Sequence, residues 1–565
     1  MRPMRHPSAT VRPLAVAVLL ASALGACGRD GAVVADGDTG GTVVLAMSVE
    51  PSSLLPPLVG SDHEQAIAEV VYDRLADIGP TLSATSDAGF TPRLASAWQW
   101  APDSMSIAFT LDPRARWHDG RPVVSEDVRR SFALYTDPRV ESRNATLLAN
   151  IDSVSAPDAS TAVFWFKRRS PLQFYDATYH LFVMPAHHLE GVEPAELAAV
   201  PLARAPVGTG RFRFVRWVSG ERVELVADTA NYRTRPPLDR LLYVFAADFG
   251  AATVKLFTGE ADFFISLREE NLEEARRTPS VRVLAYPALR YQAVALNHRA
   301  PGNVARPHPV LGDRDVRRAL TMATDRERIV QAVFDTLGRV AIAPAPRAFL
   351  PPDSVFRTIP FDRDGAAALL DSLGWITGPD GVRARGGTRM RLELLVPSSS
   401  VNRDRMAVLL QDQWRAVGVE VVLQRLEVPA LLERIRDGRF DGFMGGWNTS
   451  PGLVGLRQVW TTRGIGGEGD NFGRYVNPVF DASVDTVLTA FDPTVAQRSL
   501  VRAIQTIIDD AAAIWLVEDA TLAGISARID PGPLPATGWW QGLTQWRIPA
   551  DRRIARDRLG LTSAP

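Results

Sequence analysis

Residues 207–245 read VGTGRFRFVRWVSGERVELVADTANYRTRPPLDRLLYVF. Gly208-Thr209-Gly210 signals a turn. The chain beyond it alternates, with Phe212, Phe214, Val215 and Trp217 set among Arg211, Arg213 and Arg216. Ser219-Gly220 turns it back, and Val223, Leu225 and Val226 continue it. A third run, Leu241 to Phe245, follows the Pro236-Pro237 break. Period-two runs bounded by Gly and Pro predict strands of one antiparallel meander. Periodicity alone fits any such meander.

The wording around it is more specific. Pro206-Val207-Gly208-Thr209-Gly210, an aromatic strand, Asn231-Tyr232 and Pro237-Leu238-Asp239 together resemble the central signature of the family 5 extracellular solute-binding proteins. These are the oligopeptide, dipeptide and nickel receptors of bacterial ABC importers. A second resemblance lies in residues 91–132. Trp117-His118-Asp119-Gly120 forms a tight turn, because Asp-Gly tolerates the positive φ required there. Ser125-Glu126-Asp127-Val128 opens a helix with Ser as the expected cap and acids in the first turn. Gly259-Glu260-Ala261-Asp262, then Asn297, Val316-Arg317-Arg318-Ala319-Leu320 and Asp325-Arg326, extend the likeness. It runs in order from about residue 42 to residue 525.

Composition sets the outer bounds. At 565 residues the chain suits two or three domains. Apolar content of 46% with 22% charged residues is ordinary for a globular protein. The formal net charge of −1 gives no basic excess for nucleic acid. Lys167 and Lys255 are the only lysines, so positive charge is nearly all Arg. Arg2, Arg5 and Arg12 precede the apolar run Leu14 to Leu20, and Leu24-Gly25-Ala26-Cys27 follows. A basic start, a short apolar run and small residues at the cut describe an export signal, too short to span a membrane as a helix. Leu24 to Cys27 also resembles a lipobox, with Cys27 as the lipidated first residue of an envelope-anchored, exported protein. Cys27 is the sole cysteine, which excludes an internal disulfide and a thiol nucleophile in the folded body. Residues 27–41 read as a flexible tether.

Further along, 390–427 predicts strand, helix, strand: Leu392 to Val396, Asn402 to Val417 and Val419 to Leu423. Such a unit implies a right-handed parallel crossover. Phe440 to Trp447 is an apolar strand running into a Gly-Gly-Trp corner. A long helix near 495–513 leads into a strand at Ala513 to Val517, and Trp539-Trp540-Gln541-Gly542 reads as a surface-like aromatic cluster.

No G-x-S-x-G elbow, Walker A sequence or H-E-x-x-H is present. Residues 464–469 match G-x-G-x-x-G but follow Thr-Thr-Arg rather than a strand, so the dinucleotide context fails. His118 reads as a turn residue. The His187-His188 pair invites a zinc or nickel reading, but its Pro-x-His setting is the family's wording at a strand-to-helix junction. The expectation is therefore no metal, no cofactor and no enzyme.

The resemblance implies an α/β, two-lobed periplasmic-binding-protein type II fold with an additional small α+β domain and a hinge between the lobes. Residues 42–75, 195–295 and 526–560 would form lobe I, 76–194 the extra domain and 296–525 lobe II. A solute would bind in the interlobe cleft and pass to permease and ATPase subunits, with the receptor acting as a monomer. The expected cleft residues are Glu64, Tyr72, Gly445, Gly446, Trp447, Asn448, Ser450, Asn471 and Tyr475. In the family's peptide receptors an Asp three residues after the cleft Trp pairs with the peptide's ammonium. Here that position is Ser450, so either another carboxylate, with Glu64 as the candidate, takes that role, or the ligand lacks a free amine there. Peptide leads as the solute, against a nickel complex, an oligosaccharide or an opine-like ligand, with an exported hydrolase as the other class.

Overall fold

The computed structural model describes residues 39–79, 82–466 and 469–558. Cys27, the leader and the tether through residue 38 lie outside them. The first strand, β1 (Thr42–Met47), is buried throughout. Val43, Leu45 and Met47 face one core while Val44 and Ala46 face another. Helices therefore cover both sides of the sheet, as a parallel strand of this composition requires. Each such side chain contributes about 1.5–3 kcal/mol on full burial. Helix α1 (Asp62–Val71) follows, started by a reciprocal cap between Ser61 and Glu64. The tether ends earlier than expected: Gly40 N–H donates to Pro237 O and Gly41 N–H to the Asp239 carboxylate, at 2.6 and 2.9 Å.

The small domain is a four-stranded antiparallel sheet of β2 (Ala95–Trp100), β3 (Ser106–Leu111), β4 (Ile151–Asp158) and β5 (Thr161–Phe166), in the order β2-β3-β5-β4. Helix α2 (Ser125–Thr136) packs on it. Ser125 is not the cap. Val124 precedes the helix, and its N–H is taken by Asp127 Oδ2 at 2.8 Å, because the Ser125 hydroxyl is spent on Asp158 O.

The expected meander is β6 (Phe212–Val218), β7 (Arg222–Ala227) and β8 (Arg240–Phe245), each pair antiparallel. It continues through β9 (Phe263–Phe264) to β10 (Val281–Pro287), then β11 (Arg290–Leu296) and β12 (Gly338–Val340). The parallel unit is β13 (Arg391–Pro397), α3 (Val401–Arg415) and β14 (Glu420–Leu426). Then come β15 (Gly442–Asn448), α4 (Pro478–Thr489), α5 (Pro493–Asp509) and β16 (Ala513–Ser526). The strands run β14-β13-β15-β11-β16-β9-β1-β8-β7-β6, with β10 and β12 also on β16.

Two places join the lobes. One is the turn between β10 and β11; the other is the middle of β16, which pairs with β11 through Val517 and with β10 from Ala520 onward. Two expected boundaries therefore move. β11 pairs along its whole length with β15, a strand expected in lobe II, so the crossing precedes Arg290 rather than falling near residue 296. The second half of β16 pairs with β9 and β10, strands expected in lobe I, so the last part of that lobe begins near residue 520 rather than at 526. The tail cluster also differs from expectation. Trp539 is buried against Phe263, ring centres 4.7 Å apart, and Trp546 closes the same core.

Candidate functional site

In open α/β sheets ligands bind beyond the carboxyl ends of the parallel strands. Here those ends lead into Ser48–Glu50 from β1, Ile265–Arg268 from β9, Ser398–Ser400 from β13 and Thr449–Ser450 from β15. The ends after β9 and β13 meet at the crossover between the lobes, and Thr449 bonds to Leu289 in the turn there. A cavity of about 670 Å³ lies there, with Ile265, Arg268 and Thr521 on one side and Ser399, Arg290 and Arg405 on the other.

Its charged centre is built from both crossing strands. Buried Asp519 of β16 pairs with Arg290 of β11 through Nε at 3.0 Å, and accepts from Gln292 Nε2 at 3.1 Å. Gln292 Oε1 in turn accepts from Arg403 Nε, 3.1 Å away in the first turn of α3. Burial lowers the Arg403 pKa; nearby Asp519 opposes that and nearby Arg290 adds to it. Ser400 caps α3, so the positive end of that helix dipole points the same way. Arg268, Arg290 and Arg405 thus line the cavity, with Arg403 behind them on Gln292, and its two acids are already paired, Asp519 with Arg290 and Glu270 with Arg268 at 3.6 Å. Sequence reasoning missed this group, although Asn402-Arg403-Asp404-Arg405 after three serines was a visible signal of a basic helix start.

The residues expected in the cleft divide. Gly446, Asn448 and Ser450 are exposed at the end of β15, and Gly445 is buried within it. A Cβ on Gly446 would stand 2.3 Å from Arg403 Nη2, so only Gly lets that guanidinium reach across the strand. Trp447 is half-buried and stacks on Tyr291, centroids 5.4 Å apart with planes at 17°. Trp460 and Phe443 complete its aromatic layer at 5.7 and 6.0 Å. Thr449 ties this corner to the hinge turn, donating through N–H and Oγ1 to Leu289 O at 2.7 and 3.0 Å.

The other four are occupied elsewhere. Tyr72 is wholly buried at the end of α1, and burial raises its pKa. Asn471 and Tyr475 are also buried. The Asn471 carboxamide donates to Thr461 O and Tyr475 O and accepts from Tyr475 N–H, while Tyr475 Oη donates to Asp510 at 2.7 Å. These residues lock a loop and offer a ligand no polar atom. Glu64 cannot stand in for the missing Asp. Its carboxylate accepts from Ser52 N–H and Oγ at 2.8 and 2.7 Å, and from Gly60 and Ser61 N–H at 2.7 and 3.0 Å. Burial would raise its pKa, but those donors outweigh burial and hold it low.

His118 has the turn role expected of it. Its Nδ1 accepts from Gly208 N–H at 3.2 Å and Nε2 donates to Gly210 O at 2.9 Å, with burial lowering its pKa. The two signature segments hold each other in this way.

A two-lobed type II architecture with a double crossover and a polar interlobe cleft defines a solute-binding protein. The chain belongs to the bacterial extracellular solute-binding proteins, family 5, whose profile matches residues 89–461. Such proteins are exported and bind solutes rather than transform them. The oligopeptide-binding protein AppA of Bacillus subtilis is 25% identical over 417 residues, covering 73% of this chain and 74% of AppA. Among solved structures, CtaP of Listeria monocytogenes superposes with a TM-score of 0.75 at 22% identity, covering 90% of this chain and 99% of CtaP. NikZ of Campylobacter jejuni, in complex with Ni(L-His), gives 0.70 at 22% identity, covering 90% and 99%.

Proposed function

We propose that this chain is the substrate-binding lipoprotein of an ABC importer, anchored through Cys27, which takes peptides into the cleft between its lobes and presents them to a permease as a monomer. The observation that carries the peptide reading is the charge of the cleft: Arg268, Arg290 and Arg405 line it, Arg403 stands behind Gln292 at the start of α3, and the acids Asp519 and Glu270 are each paired with an arginine. That set suits a ligand carboxylate, since guanidinium groups bind carboxylates in a fork geometry. AppA, solved with a nonapeptide, supports peptide as the class. The cleft's acids, Asp519 and Glu270, are already paired with Arg290 and Arg268, which leaves a ligand ammonium no unpaired carboxylate. Ser450 is neutral and Glu64 is fully hydrogen-bonded. The peptide is therefore read through its carboxylate and side chains, with its amino end unpaired or solvated.

The same lack of an unpaired acid favours the second reading, a non-peptide anionic solute such as an opine-like ligand or a metal chelate. Calorimetry on the mature chain separates the two, using one peptide pool in free, amino-acetylated and carboxyl-amidated forms. Peptide function through the carboxylate predicts equal affinity for the first two and at least a ~10-fold loss for the third, the loss of a charge-assisted bond. No heat with any of the three removes peptides. A loss confined to the acetylated form would show that an acid reads the amine after all.

A further inference from the structure

The fold brings a third residue, distant in sequence, to the His187-His188 pair. Asp119, from the Asp-Gly turn, meets His187 and His188, whose short helical turn (Ala186–His188) follows the second half of the small domain. Both imidazole Nε2 atoms converge on one carboxylate oxygen, Asp119 Oδ2, at 2.7 Å from His187 and 3.1 Å from His188. The rings lie 4.5 Å apart at 45°, and all three donor atoms fall within 4.8 Å of one another. Among the described residues this is the only such cluster.

Both loops are held from below by one buried acid. Asp127 Oδ1 accepts from Ala186 N–H at 2.8 Å, immediately before the histidines, and its Oδ2 accepts from Trp117 Nε1 at 3.1 Å, just before Asp119. Arg121 N–H fixes the other Asp119 oxygen at 3.1 Å, and the His187 ring meets the Trp117 edge at 6.4 Å. Three donors of this kind, positioned by packing and hydrogen bonds, are what a metal ion needs.

We propose that Asp119, His187 and His188 bind a divalent transition-metal ion of the Zn²⁺ class on the surface of the small domain. Two imidazoles and a carboxylate match zinc's preference for nitrogen and oxygen donors at about 2.0–2.2 Å, with a fourth position left for water. Tetrahedral donors at that radius stand about 3.4 Å apart, so the side chains open slightly from their present hydrogen-bonded spacing. Their partial exposure allows this: Asp119, His187 and His188 side chains are 28, 19 and 38% accessible. The open position adjoins a cavity of about 850 Å³, lined in part by His187, Arg121 and Glu126. The ion exchanges with solvent, and Cu²⁺ binds more tightly than Zn²⁺ in the usual order of affinities.

The test uses the untagged mature chain, stripped with a chelator and titrated with Zn²⁺ against a chromogenic competitor. Wild type takes up a single ion per chain and melts at higher temperature with Zn²⁺ present, because the ion binds the folded state. His187→Ala, His188→Ala and Asp119→Asn each weaken binding by at least ~10-fold and lose that thermal shift, with unchanged circular dichroism. Sub-stoichiometric uptake, or stoichiometric uptake that survives His187→Ala with His188→Ala, overturns the site. A variant that fails to fold is replaced by His188→Gln, which keeps the ring's volume roughly and removes the ligand nitrogen.

Discussion

Gly208→Ala tests why the signature segment carries glycine. Its added methyl would stand 1.8 Å from Val71 O and 2.7 Å from the Val71 carbonyl carbon. Ordinary carbon–oxygen contacts begin near 3.3 Å, so one segment must retreat by about 1.5 Å. That retreat breaks or stretches Gly210 N–H to Val71 O at 2.8 Å, Gly208 N–H to His118 Nδ1 at 3.2 Å and His118 N–H to Gly208 O at 2.8 Å. Overpacking costs about 1–3 kcal/mol and each lost hydrogen bond about 1 kcal/mol. The expected loss is about 4–6 kcal/mol if all three bonds go. Gly220→Ala is the comparison: Gly220 has φ of +73° with nothing near its Cβ position, so only backbone strain of about 1–2 kcal/mol applies. Urea unfolding followed by tryptophan fluorescence reads both, with the slope checked for each variant. If Gly208→Ala costs no more than Gly220→Ala, the close approach to α1 is not what the glycine serves.

Burial raises the Asp176 pKa to about 7, with Arg168 opposing. A carboxyl raised in the folded state lowers stability as pH climbs from the unfolded value near 4 to about 7, by up to about 4 kcal/mol. Asp176→Asn should abolish that slope and stabilise the chain above neutrality, and an unchanged slope would dismiss the effect. Trp447→Ala should weaken peptide affinity by about 1–3 kcal/mol with little change in stability; unchanged affinity with a large fall in melting temperature would make it a core residue. Cys27→Ser should release the protein from membranes, since stable anchoring takes more than one acyl chain, and fatty-acid labelling that persists in the variant would refute the anchor.

The fold was legible because its words are local. The alternation from Phe212, the Asp119-Gly120 turn and the unit around α3 each declare themselves within thirty or so residues. What could not be read was pairing across the chain. Val294 to Leu296 reads as a strand, but its partners in β15 lie about 150 residues on, so the boundary fell late. The continuation of β16 past Val517 was hidden because Glu518 and Asp519 interrupt an apolar run, and Asp519 is polar for the sake of Arg290. The site was half legible. The glycines and Trp447 follow from the strand that ends there. Tyr72, Asn471 and Tyr475 look the same in sequence whether they face a ligand or fill a core. Of the metal-type cluster the adjacent His187-His188 pair was visible, but not its third member, since Asp119 lies 68 residues from His187.

The first lobe closes on itself through the far end of the chain. Thr42 N–H donates to Asp557 Oδ1 at 2.8 Å, and Arg528 bridges Asp557 and Asp262 at 2.7 Å to each. Asp262 also holds Val44 N–H at 2.9 Å. A ribosome making this polypeptide therefore delivers the opening strand long before the residues that secure it. Until the last stretch emerges, β1 lacks its lock and β16 has not arrived to join the lobes. Contacts this distant in sequence also form slowly. The opening strand is thus secured by a residue 515 positions downstream, and its lock closes only once nearly the whole described chain is in place.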